Sequence, residues 1–288
     1  MQPTNNQLGP RGIVLRDTTY KATQYEELKK LTAQIASGQV TGADVFQRLT
    51  RKNVEVSLDK WITNDPAMLR LKSKVIAIQK NSSNHDAVLI TGPSGTGKEL
   101  IARAIGDNDE PFVARNCAGI PKELIASIFF GHLRGTFTGA DSDRQGILVQ
   151  AKAGVVFLDE IGDMPLELQA MLLRAIQERE VCRLGAVESI PIACRFVAAT
   201  KFDLREQVEK GLFREDLFAR LFTHELRVTG LESRKDDIPL IAAKGLDTSG
   251  NPLNWTEPIP DSVLPDIYRF NVRGIQTFVR RYKTYGFI

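Results

Sequence analysis

Gly92-Pro93-Ser94-Gly95-Thr96-Gly97-Lys98-Glu99 decides the reading of this 288-residue chain. The short apolar run 87–91 leads directly into it, and an amphipathic stretch from Lys98 to Ile105 leaves it. The eight residues therefore join a predicted strand to a predicted helix. In that setting the glycines let backbone N–H groups close around phosphate oxygens, and the helix amino end adds a favourable dipole. Lys98 supplies a point charge for the outer phosphates. The spacing Gly92-x4-Gly97-Lys98 predicts an ATP site with Gly92 through Glu99 around the nucleotide. The plainer alternative, a glycine-rich turn with a surface lysine, is disfavoured by the strand and helix on either side. Glu99 departs from the general pattern, which has a Ser or Thr hydroxyl there for Mg2+.

Working outward, Val155-Val156-Phe157-Leu158-Asp159-Glu160 describes a buried strand that delivers two acids to its carboxyl end. Alone, such a run is often a strand edge. Paired with the upstream phosphate loop, it puts Asp159 where it can hold Mg2+, directly or through water, and Glu160 where it can activate the attacking water. Further strands are predicted at 112–115 and 195–200, with helices over 66–80 and 166–178. Alternating strands and helices predict an α/β fold, a parallel sheet flanked by helices, with ligands at the carboxyl ends of the strands.

Composition excludes little but is consistent. The chain is 42% hydrophobic and 25% charged, with a net charge of +3, too small to argue for nucleic acid or an anionic membrane. Cys117, Cys182 and Cys194 form no CxxC pair, so a zinc site or disulfide framework is not indicated, and buried free thiols are expected. Met1 to Pro10 is polar, without the apolar core of a signal peptide, and no run is long enough to span a membrane. A cytoplasmic location is expected. Residues 1–60 read as a polar leader followed by helical patterns at Tyr25–Ile35 and Gly42–Lys52. These fit a small helix-turn-helix or, more commonly, a helical pair packing on another surface.

At this point the motifs resemble the AAA+ domain of bacterial sigma-54-dependent transcription activators, densely over residues 60–240 and sparsely over 255–280. The Lys98-Glu99 ending of the phosphate loop is that family's own variant. Gly135-Thr136-Phe137-Thr138-Gly139-Ala140 stands where the family carries its diagnostic Gly-Ala-Phe-Thr-Gly-Ala loop. The residues alone allow Phe137 to be a loop anchor tucked into the core. The resemblance instead implies that Phe137 and Thr138 touch the sigma factor. It implies a homo-oligomeric ring, a hexamer, that hydrolyses ATP and remodels the sigma-54 RNA polymerase closed complex. Residue by residue, Asn116 is implied to hydrogen-bond Glu160, and Thr200 to sit in the catalytic strand end. Arg214 and Arg220 would be fingers for the neighbouring subunit, and Arg273 the lid arginine that senses nucleotide. The implied domains are a 1–60 segment, a 61–235 core and a 236–288 helical lid and tail.

The chain also departs from the family. Lys201 replaces the Asn that helps sense the γ-phosphate, Ile128 replaces a Glu, Thr136 replaces the loop's Ala, and the lid reads as shortened. After Arg273 no helix-turn-helix is expected. Arg280, Arg281 and Lys283 fit a solvated basic tail better than a DNA contact. The N-terminal stretch lacks the acidic pocket of a receiver domain. Two alternatives therefore stand beside the activator: a degenerate family member that binds nucleotide as a scaffold or regulator, and an AAA+ remodeller of another protein.

Overall fold

A computed structural model describes residues 58, 61–106, 110–118, 122–245 and 251–285. The helices expected between residues 21 and 52 lie outside the described residues. Helix α1 (Pro66–Asn81) starts where Asp65 accepts the Met68 N–H at 2.9 Å and Pro66 takes the first turn. A cap of this kind contributes about 1 kcal/mol. Strand β1 (Val88–Thr91) and helix α2 (Lys98–Ile105) bracket the glycine loop as the sequence predicts. Next come β2 (Phe112–Asn116), α3 (Lys122–Phe130), β3 (Gly131–His132), β4 (Arg144–Gln145) and the single turn α4 (Ile147–Gln150). Then follow β5 (Val155–Asp159), α5 (Leu166–Glu178), β6 (Glu180–Cys182), β7 (Ser189–Pro191) and β8 (Arg195–Thr200). Helices α6 (Leu204–Glu209) and α7 (Glu215–Leu221) precede β9 (His224–Arg227). Helices α8 (Asp237–Lys244), α9 (Leu264–Phe270) and α10 (Val272–Tyr285) complete the chain.

The central sheet is parallel, in the order β2-β5-β8-β1-β9. Its inner strands β1, β5 and β8 are apolar on both faces because both faces are covered. Val156 and Leu158 enter the core under α5 and α7, whereas Val155 and Phe157 enter the one under α1 and α2. The outer strand β9 is absent from the sequence reading: His-Glu-Leu-Arg offers only Leu226 to a core, too little for an apolar signal. The register sets Asn116 opposite Asp159 and Thr91 opposite Thr200, so the polar residues gather at the carboxyl edge.

Two features correct the sequence reading. Arg280, Arg281 and Lys283 are solvated as expected, but they lie on a packed helix, Val272–Tyr285, rather than on a tail. Ile275, Phe278 and Val279 are buried in a separate helical core with Trp255 and Ile267, leaving Arg280, Arg281 and Lys283 exposed. The helical spacing of those apolar residues was the available signal. Cys182 is exposed, whereas Cys117 and Cys194 are buried free thiols. Among the described residues no helix is long and apolar enough to cross a membrane.

The helical lid is strapped to the segment before α1 by buried charge. Asp237 pairs with Arg234 at 3.0 Å, and the two side chains are 1% and 2% exposed. Asp237 also accepts the Thr63 hydroxyl at 2.6 Å and the Asn64 N–H at 2.7 Å. Removing one member leaves a desolvated charge behind, which outweighs any gain from burying the pair. Asp237→Ala is expected to destabilise the chain by about 3–5 kcal/mol, measured as the shift in urea unfolding at constant m-value. A loss under about 1 kcal/mol would contradict this role for the pair.

Candidate functional site

Gly92, Gly95 and Gly97 have φ of 152°, 76° and 92°, conformations that favour glycine. Close packing demands it too. A Cβ on Gly92 would lie 2.4 Å from the Val228 carbonyl oxygen, and one on Gly95 would lie 2.2 Å from that of Phe270. The loop is pinned below by the Gly92 N–H on the Thr200 carbonyl at 3.1 Å. Thr96 donates its hydroxyl to the Pro93 carbonyl at 2.9 Å. Lys98 folds back over the loop, its Nζ donating to the Gly92 carbonyl at 2.9 Å and the Pro93 carbonyl at 3.1 Å. Burial pushes the Lys98 ammonium below the usual lysine range, and the carboxylates of Glu160 and Asp159 oppose that shift. Arg273 and Lys201 act in the same direction as burial.

At the end of β5, Asp159 Oδ1 accepts the Glu160 N–H at 3.1 Å. Glu160 itself adopts the left-handed conformation, φ 52° and ψ 49°. A non-glycine residue there is uncommon and costs of order 1 kcal/mol or more. Lys201 meets it directly. The Lys201 N–H reaches Glu160 Oε2 at 3.4 Å, and its Nζ stands 3.8 Å from that oxygen and 3.8 Å from Asp163 Oδ2. Asn116 is close in register but turned away, its Oδ1 accepting the Ala118 N–H at 2.8 Å. The fully buried Thr200 accepts the Phe202 N–H at 3.0 Å. Cys117 lies among these acids; burial, followed by Asp159, Asp163 and Glu160, pushes its thiol up to about 12.

The remaining predicted residues separate. Arg273, in the first turn of α10, overlies the loop: a Cβ on Gly95 would sit 3.5 Å from that of Arg273. The exposed side chain of Glu99 pairs with Arg103 at 2.7 Å rather than facing the loop. Arg214 begins α7 with its backbone N–H on Gln169 Oε1 at 2.8 Å and its guanidinium on Asp216 at 2.7 Å. The side-chain bond with Asp216 holds the Arg214 guanidinium above its ordinary value and the Asp216 carboxyl below its own. Arg220 is exposed on α7. Neither arginine touches the glycine loop among the described residues.

The 135–140 loop is small and closed on itself by the Gly135 N–H on the Ala140 carbonyl at 2.8 Å and the Ala140 N–H on the Phe137 carbonyl at 3.0 Å. Phe137 is half-buried, its ring edge-on to that of His132 at 4.9 Å, while Thr138 is exposed. His132 is in turn fixed by a 2.7 Å bond between its Nδ1 and the buried Ser127 hydroxyl. The loop leans on the β6–β7 hairpin. Leu133 N–H bonds the Leu184 carbonyl at 3.0 Å, and the Thr136 hydroxyl donates to the Leu133 carbonyl at 2.5 Å and lies 3.2 Å from that of Leu184. Val187 at the hairpin tip is 99% exposed. An alanine at 136 would offer no such hydroxyl. This latch and the Lys201–Glu160 pair escaped the sequence reading, because each depends on a long-range approach that spacing does not reveal.

The residues present fit a nucleoside polyphosphate: a glycine cradle, two cations beside it and two carboxylates opposite. A metal ion fits less completely. Among the described residues no group of three or more His, Cys, Asp or Glu side chains is placed to hold one. Asp159 would share such an ion with phosphate and water oxygens.

Residues 61–227 match the family described as the sigma-54 interaction domain. The chain is 46% identical over 192 residues to the transcriptional regulatory protein GlrR of Escherichia coli (strain K12), spanning 64% of this chain and 43% of that protein. It is 40% identical over 231 residues to the transcriptional regulatory protein ZraR of Salmonella typhimurium, spanning 78% of this chain and 50% of that one. The chain thus spans half or less of the length of these two curated relatives. The crystal structure of NtrX from Brucella abortus in complex with ATP is similar at a TM-score of 0.63 and 27% identity, covering 88% of this chain and 59% of that one.

The close approach at Gly95 gives a test independent of any ligand. Gly95→Ala is expected to destabilise the chain by about 1–3 kcal/mol, through left-handed strain and the collision with Phe270. Urea unfolding measures it, and an unchanged midpoint would contradict the packing described.

Proposed function

This chain belongs to the sigma-54 interaction domain family and carries the AAA+ P-loop fold, and we propose that it is an ATP-hydrolysing activator that contacts sigma-54 and remodels the RNA polymerase closed complex. The observation that carries this reading is one compact unit holding both a glycine-and-lysine phosphate cradle and a separate loop that presents a half-buried Phe137 beside an exposed Thr138. Lys98 and Arg273 balance the charge of ATP, with Lys98 giving up its loop carbonyls for phosphate oxygens. Asp159 would hold Mg2+, which when bound would neutralise charge on the transferring phosphoryl group. Glu160 orients the attacking water and takes its proton. Arg214 and Arg220 complete the site of a neighbouring subunit in a homo-oligomeric ring, a hexamer in the bacterial cytoplasm. Arg214 exchanges Asp216 for phosphate there.

The physical link between the two sites is short. Strand β2 ends opposite Asp159, and α3 then runs to the base of the Phe137 loop. A change at the acidic strand end is thereby passed to His132 and the Phe137 ring set edge-on against it. Work on the partner requires that the loop bind sigma-54 with different affinity in different nucleotide states.

A second reading, nucleotide binding without turnover by a scaffold or regulator, is favoured by one observation. Lys201 engages the carboxylate that activates water. Steady-state ATP hydrolysis across protein concentrations separates the readings. The activator shows concentration-dependent turnover, lowered roughly 10³-fold in Arg214→Ala; tight ATP binding without turnover favours the scaffold. In the activator, Thr138→Ala is expected to leave hydrolysis within about twofold while open-complex formation falls roughly tenfold or more, the scale of a central contact. Unchanged open-complex formation would sink the assignment of the loop.

A further inference from the structure

Asn271 is 2% exposed and sits between the lid helices α9 and α10, with φ 55° and ψ −133°. That backbone conformation is sparsely populated for a residue with a side chain, so its surroundings must enforce it. The side chain shows what they gain. Asn271 Nδ2 donates to the Ser94 carbonyl at 3.0 Å, and its Oδ1 accepts the Leu231 N–H at 2.7 Å. The next backbone N–H, that of Val272, donates to the Gly95 carbonyl at 3.0 Å. Gly230 is glycine in the same corner, where a Cβ would lie 3.2 Å from Asn271 Oδ1.

The consequence follows from peptide planarity. A carbonyl and the N–H of the next residue point in opposite directions across a trans peptide. Holding the Ser94 and Gly95 carbonyls toward the lid turns the N–H groups of Gly95 and Thr96 the other way. Those two donors lie in the middle of the glycine loop, where an anion is bound by backbone N–H groups. Arg273 leaves the same short segment, two residues after Asn271.

We propose that Asn271 is a positioning residue for nucleotide, a bracket that fixes two peptide planes of the glycine loop and sets Arg273 over it. Loop geometry and lid attachment are then one structural event. A lid that lifts away frees the Ser94 carbonyl to rotate, and a nucleotide that orders the loop draws the lid down. This inference rests on the reading of the 92–99 loop as a nucleotide site.

Two substitutions in the full chain separate the bracket from simple packing. Asn271→Gly relieves the backbone conformation but loses both side-chain bonds. Asn271→Asp keeps an acceptor for the Leu231 N–H and sets an oxygen against the Ser94 carbonyl. Calorimetric titration with ATP and with ADP is compared with thermal unfolding of the same samples. Both variants are expected to remain folded and to bind each nucleotide roughly tenfold more weakly, the scale of a lost buried hydrogen bond. Affinities within about twofold of the unaltered chain would overturn the inference and leave the nucleotide site intact. A loss of binding that only tracks the unfolded fraction would overturn it as well, because a packing role predicts that. If the unaltered chain binds neither nucleotide, the functional reading and the inference fall together.

Discussion

The structure depends most on the orientation of the peptides in the glycine loop. Short contacts fix it from three sides. Gly92 is held on the Thr200 carbonyl and packed against Val228, Ser94 and Gly95 are held by the lid, and Lys98 closes over the Gly92 and Pro93 carbonyls. Packing against Val228 at Gly92 and against Phe270 at Gly95 leaves no room for a side chain at either position. Backbone dipoles oriented in advance bind an anion without paying reorganisation when it arrives. The sheet order follows the same need, since β1 lies between β8 and β9 and so carries the loop between the strands that brace it.

Charges of both signs meet around the loop. Asp159 and Glu160 act on Lys98 against burial, Arg273 and Lys201 act with it, and the lysine at 201 engages the carboxylate on which hydrolysis would depend. The Lys201 contact is long and its side chain is 42% exposed, so water screens it and the pair is weak. An arriving polyphosphate competes for Lys201 with more charge than Glu160 can offer. On the proposed reading, the ammonium that pairs with Glu160 thus has a reason to leave it for the nucleotide.

Much of this was legible in the sequence because the signals were local. The glycine loop, the strand 155–159 and the helices at 66–81 and 166–178 announce themselves by spacing and apolar period. Strand β9 did not, because an edge strand with one buried residue has no period. The last helix was hidden by its basic residues, although Ile275, Phe278 and Val279 carried the pattern. At the site, residue types pointed to the chemistry but not to the partners. Asn116 turns to its own loop, Glu99 to Arg103, and Asn271 clasps a carbonyl 177 positions away. Hydrogen bonds between distant segments leave no trace in spacing, so the bracket and the Thr136 latch appear only in three dimensions.

The central claim is that nucleotide bound at the glycine loop prepares the Phe137 loop for a partner. The most direct measurement is capture of sigma-54 by the full chain with ADP and aluminium fluoride, which imitates the transferring phosphoryl group, read by gel filtration. The account predicts a stable complex with the analogue and none with ADP alone. Failure to capture sigma-54, with the analogue demonstrably bound, would contradict it.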